Sequence, residues 1–443
     1  MNYDFYAEFW DEKKLDEFIK KELKKCWENI WKSSTKPKNK RPKEFEEKIT
    51  EILPSLIYEE FILKNEKTYN FTVLLGVLHQ YILEKEDFYN KFLESLKKTY
   101  QDRRGKNKDV KPTLPKELVK SFYKIFVHNK KQYNTFIQKQ LSLMESLNIT
   151  LREDEFPNLS HLPSHSFFLS ITFTLKKPFI SKDDEEFYIH ENPVSKEKVF
   201  KVPYVRASSW KGNLRWVALK NLIDEISKPN DKNKKRQTAC SGRTKIVRIF
   251  GNEKENREDV IFKNIFSEEF NHEFKKHIVE KNYVNKDGNG RGRLQFYPTF
   301  FNRIGLDVIA PHRRDTRAIR KEGPITFEIV PGNEYDEKGN IKERGTKGTF
   351  SLLYVPFDLI GKDENSVKKE VRQDLEIIIK AVHKMLTVYG FSAKKTSGYG
   401  VVNTDNSFKF ELNDEKIKDL GLQPTSGDHE KFKELLNKLE VKD

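Results

Sequence analysis

Cysteine and long apolar runs are what this sequence most clearly lacks. Its 443 residues include 2 cysteines, Cys26 and Cys240, which lie far apart and outside any Cys-x-x-Cys spacing. Structural zinc sites and disulfide frameworks need several thiols at close spacing, so neither is predicted and no cofactor is indicated. No segment approaches the roughly 18 uninterrupted apolar residues of a spanning helix, and the first residues lack the basic and then apolar order of a signal peptide. We therefore expect a soluble, cytoplasmic protein without a membrane partner.

Negative charge is in short supply relative to positive charge. Lys and Arg number 83 against 68 Asp and Glu, which gives a net charge of +15 and an isoelectric point near 9.3. Such a balance favours a polyanionic partner, with nucleic acid as the leading candidate. The alternative is a lysine-rich protein whose basic faces are simply solvated. With 33 Phe and 17 Tyr the chain can still bury a sizeable core, so disorder is excluded.

The first third of the chain follows a helical period. Apolar residues recur three and four positions apart from residue 11 to about 147. The first stripe comprises Leu15, Phe18, Ile19, Leu23, Trp27, Ile30 and Trp31, and later stripes lie at 45–53, 71–83, 88–96, 118–126 and 133–147. This pattern predicts an all-α helical domain of about six helices over residues 1–150. Pro157 and Pro163 interrupt the period and indicate a linker at 151–165.

The rest of the chain alternates between strands and helices. Residues 167–175 are predicted to form a strand, and 294–301, 325–330 and 349–355 are also strand-like, with a hairpin-like connection at 332–348. A long helix capped by Ser366 is predicted to end at Gly390. Segments 229–236 and 282–293 are predicted to be a basic loop and a flexible glycine-rich loop. The order predicts an α+β, ferredoxin-like (RRM-like) domain over 166–412, followed by a helical tail at 413–443.

One loop-to-helix segment, residues 205–215, concentrates hydroxyl groups and cations. Ser208 or Ser209 is predicted to cap the helix, whose free N–H groups and positive dipole end would suit a phosphate. Arg206, Lys211 and Arg215 add full positive charges. The alternative interpretation is an ordinary N-cap followed by an amphipathic helix.

A second segment with a possible role in binding is the glycine loop at residues 394–402. Gly398 and Gly400 lack Cβ, so the backbone could approach a sugar-phosphate chain closely, while Lys394 and Lys395 supply charge. The alternative is a simple turn between a helix and a strand.

A third segment, residues 311–321, is strongly basic. It contains five Lys or Arg residues and one acid, and arginine forks bind phosphate in bidentate fashion. The alternative is a solvated basic loop. Across the three segments the predicted nucleic-acid-binding residues are Arg206, Ser208, Ser209, Lys211, Arg215, His312, Arg313, Arg314, Arg317, Lys394, Lys395, Ser397, Gly398, Tyr399 and Gly400.

Five short motifs, in this order, resemble the RAMP (repeat-associated mysterious protein) superfamily over residues 166–412. They are a Tyr-x-x-x-Ser-Ser-x-Lys-Gly-x-x-Arg segment at 204–215, Ile-Phe-Gly at 249–251, Gly-Arg-Leu-Gln-Phe at 292–296, Leu-Asp-Val-Ile-Ala-Pro-His at 306–312 and Ser-Gly-Tyr-Gly at 397–400. The fourth is similar to an element of the sixth Cmr-type RAMP protein. The chain departs from the family pattern where Arg206 and Ala207 replace Pro-Gly and where Val401 and Val402 shorten the glycine loop.

The resemblance implies an RNA-binding structural subunit of a type III CRISPR-Cas ribonucleoprotein effector in antiviral defence. Its partners would be guide RNA and target RNA, together with other effector subunits, including RAMP backbone proteins and the large polymerase/cyclase subunit. Phosphate contacts hold RNA without reading bases, which suits a protein that accepts many guides.

Two alternatives stay open. The first is an endoribonuclease of the same superfamily, which would cut target RNA with Asp183 or Asp184 and Mg²⁺, or repeat RNA with His190 or His312. Mg²⁺ is expected only if the protein cleaves RNA, and the sequence leaves open whether the protein is an enzyme. The second alternative is a ferredoxin-like RNA-binding protein unrelated to CRISPR.

Overall fold

The computed structural model describes residues 12–33, 35, 44, 48, 130–150, 156–183, 192–228, 231–253, 258–309, 315–316, 325–413 and 415–440. The helices predicted over 71–83, 88–96 and 118–126 lie outside the described residues, as does all of 45–53 except residue 48. The first predicted helix is confirmed, and its stripe residues Ile19, Leu23 and Ile30 are buried.

The helices are α1 (Glu12–Ser33), α2 (Lys130–Ser146), α3 (Ala207–Ser227), α4 (Lys232–Phe250), α5 (Glu258–Ile265), α6 (Glu268–Glu280), α7 (Glu364–Lys384) and α8 (His429–Glu440). A π-helical turn, Met385–Tyr389, extends α7, and short 3-10 turns lie at Phe357–Leu359, Lys395–Ser397 and Lys418–Leu420. The strands are β1 (Phe167–Thr174), β2 (Tyr204–Val205), β3 (Gly251–Asn252), β4 (Gly290–Arg291), β5 (Leu294–Phe296), β6 (Thr299–Phe300), β7 (Gly305–Ile309), β8 (Ile325–Ile329), β9 (Glu334–Tyr335), β10 (Ile341–Glu343), β11 (Lys347–Tyr354), β12 (Lys409–Asn413) and β13 (Ser426–Gly427).

The main sheet has five strands in the spatial order β13-β12-β1-β11-β5, and all neighbouring strands are antiparallel. Along the chain its principal elements follow as β1, α3, β5, β11, α7 and β12. This βαββαβ order with the spatial order β12-β1-β11-β5 is the ferredoxin-like arrangement, to which β13 adds an edge. The predicted α+β, ferredoxin-like fold is confirmed.

The two faces of β1 differ because side chains alternate along a strand. One face packs into the core, and its side chains are fully buried: Phe167, Leu169, Ile171 and Phe173. The opposite face carries hydroxyl groups: Ser170 Oγ lies 3.4 Å from Ser351 Oγ, and Thr172 Oγ1 lies 3.3 Å from Thr349 Oγ1. The helices α3 and α7 therefore pack against the apolar face, where Trp210 of α3 meets Phe350 of β11.

Aspartate side chains cap the start of two helices. The Asp231 carboxylate accepts hydrogen bonds from the N–H groups of Asn233 and Lys234, so α4 begins inside the segment predicted to be a loop. The Asp363 carboxylate accepts from the N–H of Ser366, so Asp363 and not Ser366 caps α7. The predicted basic loop at 229–236 is wrong from Lys232 onward because Asp231 starts a helix there. The predicted cap at Ser366 is wrong because Asp caps as well as Ser does and lies slightly earlier in the chain.

The segment predicted to be a flexible loop at 282–293 instead contains a strand. Gly290 and Arg291 form β4 and pair with Asn252 and Gly251 of β3. A Cβ built on Gly292 would lie 2.3 Å from the backbone carbon of Phe250, so the glycine permits this close packing. The prediction of flexibility is wrong because glycine serves backbone proximity here rather than mobility.

Two compact units divide the chain: residues 1–139, 182–194 and 304–328 form one, and residues 140–181, 195–303 and 329–443 form the other. In the first unit the N–H of Val194 donates to the Glu328 carboxylate at 3.0 Å, and burial raises the pKa of Glu328 to about 8. The second unit contains the main sheet and its helices, including α8. The domain boundaries predicted at 150, 165 and 412 stay a prediction. Of the helices that the structure describes, none combines the length and apolar composition needed to cross a membrane.

Candidate nucleic-acid interface

Helix α3 begins at Ala207, and Arg206 is its N-cap residue. No side chain caps the helix, so the prediction that Ser208 or Ser209 does so is wrong. Both serines lie within the first turn, where their side chains are exposed. The carbonyl of Arg206 accepts from the N–H groups of Ser209 and Trp210 at 2.9 and 3.1 Å. The earlier N–H groups of the turn precede the helical hydrogen-bond pattern, as they do in every α-helix, and carry the positive end of its dipole.

Trp210 fixes the first turn of α3 in place. Its side chain is fully buried, and its indole Nε1 donates to Thr299 Oγ1 at 3.0 Å. The ring centroid lies 4.8 Å from that of Phe350 in the sheet and 4.4 Å from that of Phe391, which follows α7. The residues on either side of Trp210, Ser209 and Lys211, therefore point away from the core and are exposed.

Arg215 is held by other parts of the protein. Its Nε donates to Glu258 Oε1 at 2.5 Å, and its Nη1 donates to the carbonyl of Gly251 at 2.8 Å. Glu258 is buried, so the pair is shielded from solvent. Gly251 ends the Ile-Phe-Gly motif with φ of +85°. Arg215 therefore links α3 to this motif and to the start of α5.

The glycines of the 390–400 loop have different roles. Gly390 and Gly400 have φ of +73° and +75°, and a Cβ on either would clash with the opposite limb of the loop, at Tyr399 O and at Ser392. Gly398 also has a positive φ of +78°, but a Cβ there would meet open space. Gly390 and Gly400 thus build the loop, whereas the backbone at Gly398 is accessible.

The start of α3 and the glycine loop lie side by side. Asn213 Nδ2 donates both to Ser209 O within α3 and to Phe391 O at the beginning of the loop. Further along, Lys395 Nζ lies 4.7 Å from the centroid of the Trp216 ring. Two segments that are about 180 residues apart in sequence thus form one surface, as the 178-residue separation of Asn213 and Phe391 shows. We call this surface, made of residues 206–220 and 389–400, the α3–glycine-loop surface.

Cations line the α3–glycine-loop surface. Burial and the neighbouring charge of Arg215 lower the pKa of Lys211, and burial lowers the pKa of Lys395. Lys394 is exposed at the loop, with φ of +57°. A partly desolvated ammonium gains more from an anion than a fully hydrated one does, because less water must be displaced. The arrangement can hold phosphate oxygens.

Three residues of this surface escaped sequence reasoning. Trp216 is 43% exposed, and its ring contacts that of Tyr389 edge-on at 5.2 Å. Lys220 Nζ lies 5.8 Å from the Tyr389 ring centroid. Trp216 falls outside the apolar stripe of Leu214, Val217 and Ala218, and a large aromatic on the polar side of a helix was the available signal.

Of the other predicted site residues, only Asp183 lies in the described part of the chain. Asp183 is buried, with 6% of its surface exposed, and its N–H donates to Pro193 O at 3.1 Å. The residues outside the described part of the chain are Asp184, His190, His312, Arg313, Arg314 and Arg317. Within the described ranges there is no group of three or more His, Cys, Asp or Glu side chains placed to hold a metal ion.

The strand order and the helices on one face define an α+β protein of the ferredoxin-like class. The family model of the RAMP superfamily matches residues 165–403, which is more than half of the chain. The protein therefore belongs to the RAMP superfamily.

Other comparisons add less. No curated protein matches the chain. Among solved structures, one described as the type III-B Cmr-beta bound to cognate target RNA is 15% identical and has a TM-score of 0.37, covering 81% of this chain and 98% of its own.

Proposed function

We propose that this protein is a non-catalytic RNA-binding subunit of a type III CRISPR-Cas ribonucleoprotein effector, which binds guide RNA, or its duplex with target RNA, through backbone contacts. The observation that carries the proposal is the α3–glycine-loop surface, where exposed Lys211 lies on α3 and Lys394 on the adjacent loop. Membership of the RAMP superfamily supports the choice of RNA as the ligand.

The chemistry of the surface suits phosphate more than bases. Lysine ammonium groups, exposed serine hydroxyls and a helix N-terminus all interact favourably with phosphate oxygens. The accessible backbone at Gly398 lets a sugar-phosphate chain approach without meeting a side chain. None of these groups distinguishes one base from another, and a subunit that accepts many guides needs that tolerance.

The proposal also includes partners. Guide and target RNA would be held jointly with other effector subunits, including RAMP backbone proteins and the large polymerase/cyclase subunit, in antiviral defence in the cytoplasm. The departure at Arg206 and Ala207 from the family's Pro-Gly fits a divergent member, because here the first turn of α3 is fixed by Trp210 instead of by a tight proline turn.

The salt dependence of RNA binding tests the surface. Binding of the full-length protein to a labelled single-stranded RNA is measured by fluorescence anisotropy over a range of salt concentrations. Each phosphate contact on a single strand contributes about 0.7 to the slope of log K against log salt. We expect the double variant Lys211→Gln and Lys394→Gln to bind more weakly and to flatten the slope by about 1.4, which is two contacts at about 0.7 each.

A matched control removes the same number of positive charges at positions outside the surface. Lys276→Gln with Lys438→Gln removes two exposed lysines of α6 and α8, and the slope should stay that of the unmodified protein. An unchanged slope in the Lys211 and Lys394 variant, or no RNA binding by the unmodified protein at low salt, would overturn the assignment.

The CRISPR part of the proposal has its own test. The tagged protein is purified from its source cells, and the RNA that accompanies it is sequenced. We expect RNAs that share one repeat-derived end and differ in the rest of their sequence. RNA of a single cellular species would instead support a ferredoxin-like RNA-binding protein unrelated to CRISPR.

A further inference from the structure

We propose that Trp216 is a stacking platform for one unpaired nucleobase, so that the α3–glycine-loop surface binds a single-stranded part of the RNA. This inference rests on the proposed function and deepens it. The backbone contacts described above would be satisfied equally by a duplex or a single strand. A base stacked on Trp216 requires a nucleotide that is not paired.

Trp216 presents apolar ring surface to solvent, unlike the other tryptophan of α3. Its indole is 43% exposed, whereas Trp210 in the same helix is fully buried. Aromatic side chains bury more apolar area than most others, so leaving one in water forgoes stabilisation. A base stacked on the Trp216 indole would cover this exposed apolar area.

Contact with a neighbouring ring holds the indole of Trp216 in place. The Tyr389 ring meets it at an interplanar angle of 87° and a centroid distance of 5.2 Å. Tyr389 ends the π-helical turn that extends α7, so the contact comes from a regular element. An indole oriented in advance loses less side-chain entropy when a base stacks on it.

A lysine ammonium group lies over a face of each ring of the aromatic pair, so a base would stack on the face of Trp216 that Lys395 does not cover. Lys395 Nζ lies 4.7 Å from the Trp216 ring centroid, and Lys220 Nζ lies 5.8 Å from that of Tyr389. Aromatic faces beside lysines are the arrangement by which proteins bind single strands, with bases on the rings and phosphates on the ammonium groups. A protein partner covering Trp216 would have to accommodate the same two positive charges, so the charges favour RNA.

Abasic RNA separates stacking from backbone binding. The full-length protein is titrated with a short single-stranded RNA, with the same RNA carrying abasic nucleotides, and with the corresponding duplex. We expect the unmodified protein to bind the complete strand about 5- to 160-fold more tightly than the abasic strand. Trp216→Ala should remove this preference, while its affinity for abasic RNA, its affinity for duplex and its salt slope stay unchanged.

Two further variants give the comparison its controls. Trp216→Phe keeps an aromatic face and should retain most of the preference. Tyr335→Ala removes an aromatic on β9 that is 44% exposed, nearly the same as Trp216, and should leave the preference intact.

Failure of this inference is distinguishable from failure of the proposed function. If Trp216→Ala lowers binding of complete, abasic and duplex RNA equally, or changes none of them, the stacking role is overturned while the Lys211 and Lys394 result can stand. If instead Trp216→Ala leaves RNA binding intact and only releases the protein from its copurifying subunits, Trp216 is a protein contact and the inference is overturned. If the unmodified protein binds no RNA, both proposals fall.

Discussion

Arg293 and Asp374 form an ion pair that solvent does not reach. The Nη1 atom of Arg293 lies 2.7 Å from Asp374 Oδ2, and the side chains are 3% and 0% exposed. The same carboxylate accepts from Tyr354 Oη at 2.8 Å and from Arg248 Nε at 2.7 Å. One buried carboxylate thus joins α4, the start of β5, β11 and α7, which are the elements that carry the ferredoxin-like sheet and its helices.

Replacing Asp374 should destabilise the protein strongly. Asp374→Asn removes the negative charge that faces two buried guanidinium groups, and breaking a buried ion pair from one side costs about 3–5 kcal/mol. We expect urea denaturation of the full-length protein to show a loss of this size. Asp287→Asn, in an exposed turn, is the control and should change stability by less than about 0.5 kcal/mol. A small effect of Asp374→Asn would mean that Asp358 and Glu370 suffice for Arg293.

Substitution of Arg215 should lower the stability of the folded protein, because Arg215 bonds to other parts of the fold. Arg215→Ala removes one donor from buried Glu258 and one from the carbonyl of Gly251, at a cost of about 1.5–3 kcal/mol. Arg215→Lys should be destabilising too, because an ammonium lacks the fork that reaches both acceptors. Thermal unfolding followed by circular dichroism measures this, with Lys211→Ala as the control of unchanged midpoint. If Arg215→Lys unfolds like the unmodified protein, the charge matters and the geometry does not.

Substitutions at two glycines of the loop should differ in their effects on stability and on RNA binding. Gly400→Ala combines an unfavourable positive φ with a contact of 2.6 Å to Ser392, so we expect a loss well above 1–2 kcal/mol or failure to fold. Gly398 has a similar positive φ but open space around it, so Gly398→Ala should cost about 1–2 kcal/mol. Chemical denaturation gives both values. At temperatures where Gly398→Ala is folded it should also bind RNA more weakly, and equal stability losses at the two positions would contradict this division of roles.

Local sequence patterns predicted the elements better than they predicted the contacts. The alternation in residues 167–175 identified β1 correctly because its period of two reflects one buried face. The start of α3 was predicted near Ser208, but the capping role was wrong because Trp210 and Thr299, 89 residues apart, fix that turn instead. A hydrogen bond between distant residues leaves no local trace in one sequence.

The candidate surface shows the same limit. Order along the chain placed the Ser-Ser-x-Lys-Gly segment and the glycine loop in one domain, and the structure brings them together. Sequence alone assigned Arg215 to the same group as Lys211, although Arg215 is engaged by Glu258 and Gly251. It passed over Trp216 because an aromatic within a helix is usually buried, and only the packed structure shows which face is covered.

A histidine pair joins α7 to α8. The Nε2 atoms of His383 and His429 lie 3.1 Å apart, and their rings are stacked with an interplanar angle of 16°. One ring nitrogen donates and the other accepts, so the accepting ring must be neutral and the two rings cannot both be protonated. Burial, the neighbouring His429 and the lysines Lys433 and Lys384 lower the pKa of His383 to about 4.

This pair should make the stability of the protein decrease as pH falls. The folded pKa of His383, about 4, is below its ordinary value of 6.5, so the unfolded chain binds the proton more readily. The stabilisation is complete above pH 6.5 and is lost as pH falls toward 4, by about 1–2 kcal/mol after allowing for solvent screening. Unfolding midpoints at pH 7 and pH 5 should differ less in His383→Gln than in the unmodified protein. Exposed His272→Gln should retain the full difference; equal pH dependence in His383→Gln would exclude the pair as its source.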